Sequence, residues 1–173
     1  HCSELRREPA ECGCIHCGLD CSRAIRLMQK SPGDDVYWRD RLSELQGWSF
    51  GDTPEMADEL LDLVLRGIKS ATCSLHRAFE DVGDPLPLVG EESYIKDSQG
   101  RARCVIRVSK VELVPMNEVT EDFARKEGEG DLSLEYWRRE HLRYFELYYT
   151  ITESELLVCE EFEVIHVFKE DAA

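Results

Sequence analysis

No run of apolar residues in the sequence approaches the roughly 20 needed to cross a bilayer, so a helical membrane span is not expected. The opening residues His1-Cys2-Ser3-Glu4 lack the charged-then-apolar order of a secretory signal and give secretion no support. Positive charge is scarce as well: 21 lysines and arginines face 36 aspartates and glutamates, for a formal net charge of −15. Such a chain repels a phosphate backbone unless its cations gather on one surface, because nucleic-acid affinity comes largely from neutralised phosphates. DNA binding and general coating of RNA are therefore not expected. Screening over about 8 Å at physiological salt still leaves room for a local basic pocket. A nucleoside without phosphates would feel little of the repulsion. Internal repeats and low-complexity tracts are also lacking.

What is present suits one globular core: 173 residues, 42% hydrophobic and 33% charged. Of the eight cysteines, Cys73, Cys104 and Cys159 sit in apolar or strand-like runs and read as small buried hydrophobes. The other five crowd into the first 21 residues. This distribution suits a reducing, cytoplasmic compartment better than a disulfide scaffold. Cys12, Cys14, Cys17 and Cys21, with His16 among them, supply enough soft ligands for a structural zinc. Their spacing is tighter than two separated ligand pairs, and free thiols are the competing reading. Ser31-Pro32-Gly33-Asp34-Asp35 is a strong breaker and divides a Cys-rich N-terminal extension, residues 1–34, from a domain at 35–173.

Within that domain Trp38, Leu42 and Leu45 recur at helical spacing, which predicts a helix from Val36 to Trp48. A second helix is better signalled: Thr53 caps it, Pro54 opens it, Ala57, Leu60, Leu61, Val64 and Ile68 form its apolar stripe, and Gly67 stops it. Lys69 to Leu75 then reads as extended. Strands are expected around Ser93 to Lys96 and from Arg101 to Val114, joined by a turn at 97–100. Arg101, Arg103 and Arg107 share one face of the longer strand, either as an RNA-facing stripe or, the blander reading, as a solvated exterior. Thr120 to Lys126 is a short helix ended by Gly128, a longer helix runs from about Leu132 to Phe145, and a closing strand carries Phe162 to Phe168. Mainly antiparallel strands with helices at the ends and middle predict an α+β domain on a small barrel.

Three separated motifs occur in order: Gly67-Ile68-Lys69-Ser70-Ala71-Thr72 after an amphipathic helix, the run Glu121 to Asp131, and Ser133-Leu134-Glu135-Tyr136-Trp137. Together they resemble the ASCH domain family over roughly Trp48 to Phe168, and look closest to its longer bacterial branch. The resemblance implies a PUA-like β-barrel, mixed or antiparallel, with flanking helices and a cleft for RNA or nucleosides. Family members include proposed RNA-binding regulators, a ribonuclease, and small amidohydrolases that remove the acetyl group of N(4)-acetylcytidine. In those amidohydrolases a lysine, a threonine three residues later and a glutamate in a following helix form the catalytic set. Lys69, Thr72 and Glu127 occupy those positions here. Ser74, Ser133, Tyr136 and Trp137 are candidates for the cleft wall, although Trp137 reads first as core, because Leu134 and His141 share its helical face, and only second as a stacking platform.

The chemistry agrees with these residue types. Acyl transfer needs a nucleophile, a proton acceptor and a group that steadies the oxyanion. A threonine hydroxyl is weak until a base takes its proton. For Lys69 to be that base its pKa would have to fall from about 10.4 to about 7 or 8, and an ionised Glu127 nearby would push the other way. The expectation is a cationic Lys69 stabilising the oxyanion and Glu127 relaying a proton, with no cofactor required. Residues three apart in a strand face opposite sides, so a turn or bulge is expected between Lys69 and Thr72. The leading function is deacylation of a modified nucleoside. Cleavage of single-stranded RNA and a non-catalytic RNA-binding module are the alternatives.

Overall fold

A computed structural model of the protein describes residues 31–169. The cysteines considered as zinc ligands, Cys12, Cys14, Cys17 and Cys21, lie outside the described residues. Helix α1 spans Asp35–Arg41, and the Asp34 carboxylate opens it by accepting from the Val36 amide at 3.0 Å. Trp38 is buried with Val105 and Phe168, its indole N–H donating to the Pro32 carbonyl at 2.7 Å.

The helix expected to continue to Trp48 does not do so. After a 3₁₀ turn at Leu42–Glu44 the chain enters a short strand, β1, Gln46–Trp48, parallel to β3, Glu92–Lys96. The helical spacing of Trp38, Leu42 and Leu45 is real, and all three pack in one cluster. What ends it is tertiary: residues 46–48 pair with β3, and the Tyr94 ring fills the space beside Gly47, where a Cβ would sit 2.0 Å from it and would have to displace the ring.

Helix α2, Pro54–Leu65, matches its signals, with Thr53 Oγ1 accepting from the Met56 amide at 3.2 Å. Strand β2, Ala71–Leu75, runs directly into helix α3, His76–Val82, which the sequence did not announce. Strand β4, Ala102–Pro115, and strand β5, Leu156–Val167, form the long antiparallel centre of the sheet. Helices α4, Glu121–Glu127, and α5, Leu134–Phe145, lie between them in sequence, capped by Thr120 and Ser133.

The strand order is β1-β3-β4-β5-β2, with only the β1–β3 pair parallel. Register shifts at Val105/Ile106 and Val108/Lys110 bend the β4–β5 ribbon, as bulges do. The result is a curled, mixed half-barrel of α+β class, consistent with a PUA-like barrel. One core cluster joins α2 to the sheet through Leu61, Val64, Ile95, Ile106 and Phe162. A second joins α4 and α5 to it through Ala124, Trp137, Phe145, Leu157 and Cys159. Strand β2 lies at one edge of the sheet. Among the described residues no helix is long and apolar enough to cross a membrane.

Candidate active site

Lys69 is delivered by the way α2 ends. Gly67 adopts a left-handed φ of 71°, and the amides of Ile68 and Lys69 both donate to the Leu63 carbonyl, at 2.9 and 3.1 Å. Lys69 thus belongs to the helix-exit turn, and sheet pairing begins only at Ala71. Strand alternation therefore does not relate Lys69 to Thr72. Glu127 is the last residue of α4 and is followed by Gly128, φ 75°. A Cβ on Gly128 would lie 2.6 Å from the Ile68 carbonyl oxygen, so glycine is required for α4 to end against the Lys69 turn. The Ser70 amide donating to the Lys126 carbonyl at 2.7 Å ties the two segments together.

The outcome is a buried ion pair. Lys69 Nζ donates to Glu127 Oε2 at 2.8 Å, to Glu129 Oε1 at 2.8 Å and to the Glu127 carbonyl at 3.3 Å. The three ammonium donors are all engaged. The other carboxylate oxygen, Glu127 Oε1, accepts from the Trp137 indole N–H at 3.1 Å and lies 3.4 Å from His141 Nε2. Both side chains of the Lys69–Glu127 pair are only 1% exposed.

Burial alone would discharge these groups, and here their partners outweigh it. Desolvation lowers the Lys69 pKa, but the Glu127 and Glu129 charges overcome it and leave the pKa above the ordinary lysine value. Desolvation raises that of Glu127, but Lys69 and then His141 hold it well below the ordinary carboxylate range. His141 is pushed down by burial and up, by more, by Glu127. The Cys73 thiol is raised well above its usual value by burial and by Glu127, with which it hydrogen-bonds. The resting site therefore holds an ammonium, an ionised Glu127 and a neutral thiol.

These residues border a cleft of about 800 Å³ that also takes in Trp48, Phe50, Thr72, Ser74, Tyr136 and Tyr144. Of the residues singled out from sequence, Lys69 and Glu127 are in direct contact, and Thr72, Ser74 and Tyr136 line the same cleft. Thr72 pairs with Glu160 across the sheet and Cys73 with Cys159, so within β2 Thr72 and Cys73 point to opposite faces. Both residues nonetheless border the cleft. Two candidates are placed elsewhere. Ser133 caps α5, its hydroxyl accepting from the Tyr136 amide at 3.0 Å. Trp137 is buried behind the cleft, where it orients Glu127.

Three participants were not picked out from the sequence: Cys73, taken for a small hydrophobe, Glu129 and His141. His141 stands four residues after Trp137 and stacks on its ring at 4.2 Å between centroids, a helical-face relation that the sequence displayed without showing what it served. Of the arginines that share a face here, Arg101, just before β4, and Arg107 are exposed and Arg103 is partly buried, and all three have acidic partners. Arg101 and Arg103 pair with Asp97, at 2.8 and 3.5 Å, and Arg107 with Glu92 at 2.9 Å.

No curated protein matches the chain. A solved structure of a protein from Enterococcus faecalis V583 is similar, at 36% identity and a TM-score of 0.68, covering 77% of this chain and 88% of that one. An ASCH domain from Lactobacillus crispatus JV V101 is 30% identical with a TM-score of 0.66, covering 86% of this chain and 97% of that one. The ASCH domain family matches residues 46–166, a stretch that contains Lys69, Thr72 and Glu127. On the strength of that match the chain belongs to the ASCH domain family.

Proposed function

We propose that the cleft hydrolyses an acyl amide on a modified nucleoside of the N(4)-acetylcytidine type. The family is associated with RNA-binding and hydrolase roles, and the charge of the cleft favours a neutral ligand over a polyanion. The observation that carries the reading is a buried ammonium–carboxylate pair on the wall of a cleft whose other charges are mostly acidic. Asp52, Glu59, Glu129 and Glu140 line it, against Arg143. That lining repels a phosphate chain and admits an uncharged nucleoside. Trp48, Tyr136 and Tyr144 bring aromatic rings to the lining, a composition suited to stacking on a planar base.

The reaction proceeds from these groups in two balanced halves. Thr72 Oγ bonds the acyl carbon while its proton is relayed by a water of the cleft to Glu127, with which Thr72 makes no direct contact, and Lys69 donates a hydrogen bond to the oxygen that becomes negative. As Lys69 turns toward that oxygen, Glu127 loses a donor and gains basicity. The C–N bond then breaks, the exocyclic nitrogen takes the proton, and cytidine leaves. Water attacks the acyl-threonine ester, giving the free acid and restoring the hydroxyl. Lys69 acts as a cation throughout, which agrees with its raised pKa.

Wild type and Thr72→Ala incubated separately with N(4)-acetylcytidine and with single-stranded RNA test the reading. Wild type should release cytidine and acetate, and the variant should lose at least about 100-fold in rate, the low end of what such a group contributes. RNA cleavage without deacetylation would sink it.

A further inference from the structure

Cys73, Glu127 and His141 come from three different elements, β2, α4 and α5, and their ligand-type atoms all lie within 4.8 Å of one another. A thiol sulfur, a carboxylate oxygen and an imidazole nitrogen are the three donor types that zinc accepts in proteins. Proximity is one feature of the cluster, and the orientation of the histidine is a second. Its Nδ1 lies 2.9 Å from the Trp137 carbonyl oxygen, which can only accept, so Nδ1 carries a hydrogen. Nε2 is then the nitrogen turned to the other two residues, donating to Glu127 when the ring is protonated and offering a lone pair when it is neutral. It faces Glu127 Oε1 at 3.4 Å. A backbone carbonyl that fixes the tautomer in this way is the usual outer partner of a ligating histidine.

The spacing fits as well. Two ligands each roughly 2.0 to 2.1 Å from a tetrahedral zinc stand about 3.3 Å apart, close to the Nε2–Oε1 separation. Glu127 is held in place for this role, its Oε1 fixed by the Trp137 indole and its Oε2 by Lys69. All three residues border the cleft.

We propose that Cys73, Glu127 and His141 bind a divalent cation of the zinc type, as three protein ligands with the fourth position open to the cleft. The thiolate and the carboxylates of Glu127 and Glu129 supply three negative charges, which the ion and the Lys69 ammonium balance. The ion takes the place of protons: the Cys73 thiol gives up the hydrogen it shares with Glu127, and any proton on His141 Nε2 leaves with it. The site is separate in kind from any zinc held by the N-terminal cysteines, and uptake is read directly, so the result does not depend on whether the cleft deacylates nucleosides.

The test uses the full-length chain with Cys2, Cys12, Cys14, Cys17 and Cys21 changed to serine, stripped with a chelator and then titrated. Zn²⁺ is followed by calorimetry and Co²⁺ by absorption. One ion per chain is expected, with a thiolate-to-cobalt charge-transfer band. Cys73→Ser should abolish that band while leaving the far-ultraviolet circular dichroism unchanged, and His141→Ala should weaken zinc binding at least about tenfold. Absence of uptake, a cobalt spectrum without the thiolate band, or parent-like affinity in both variants would each overturn the site.

Discussion

Lys69 and Arg107 both pair with a glutamate at close to 2.9 Å, yet the two regions follow different physics. The Lys69–Glu127 pair is 1% exposed on both sides, closed in by α4, α5 and the helix-exit turn. Arg107 is 47% exposed on the outer face of β4, with Glu92 beside it on β3. Water screens the second pair and hardly reaches the first. Identical chemistry is therefore a matter of structure and reactivity in one place and of solubility in the other, and geometry alone does not tell them apart.

The sharpest way to break that comparison is to remove one half of the buried pair. Lys69→Met leaves Glu127 ionised with Trp137, Cys73 and His141 as its remaining neighbours, and a stranded buried charge costs about 3 to 5 kcal/mol. Denaturant unfolding should show that loss. Lys69→Met/Glu127→Gln should recover a good part of it, because the fully buried carboxylate is then neutral and only the part-exposed Glu129 has lost its partner. Stabilities that simply add would mean the two groups do not depend on each other.

Much of the scaffold around this pair was legible beforehand, and the reasons are local. Thr53 and Thr120 announce α2 and α4 because an N-cap hydroxyl acts on an amide two or three residues away. Helix α3 was missed for the same reason in reverse: its N-cap is Leu75, which makes no side-chain bond. Strand β1 was read as helix because nothing within it reveals the pairing with β3, whose Tyr94 ring fills the space beside Gly47. At the site, Lys69, Thr72 and Glu127 were named through the family resemblance. Cys73, Glu129 and His141 acquire meaning only when three elements converge, and a half-buried cysteine in a strand carries no mark of the carboxylate it touches. The roles assigned to Ser133 and Trp137 show the converse. Both sit in the right motif, and the structure uses one as a cap and the other as a prop behind the wall.

A smaller effect sharpens the comparison through pH. Glu127 raises the pKa of His141 above its ordinary 6.5 against the pull of burial. A group whose folded-state pKa is raised adds stability that is complete below the unfolded value and is lost as pH climbs through the folded one. Wild type should therefore lose stability between about pH 6 and about pH 9 relative to His141→Gln, which lacks the titrating ring. Denaturation midpoints of the two proteins at both values check this. Parallel pH profiles would show that His141 does not feel Glu127. The carboxylate itself makes the mirror-image contribution. Its depressed pKa adds stability above about 4.3 that is lost as pH falls toward the folded value, so acid and alkali weaken the same cluster from opposite ends.

The smallest change belongs to the exposed pair. Arg107→Ala removes the charge and both contacts to Glu92, at 2.9 and 3.3 Å, and should cost no more than about 1 kcal/mol, because solvent already screens the interaction and both long side chains regain freedom when it is lost. Some of that loss would fade at high salt, whereas the Lys69 variant should remain destabilised there, its partner being out of reach of counter-ions. Melting curves of the two variants at low and high ionic strength make the measurement. If Arg107→Ala proved as damaging as Lys69→Met, β4 would have to be supporting the sheet by its charges, and the division between a reactive interior pair and a decorative exterior one would fall.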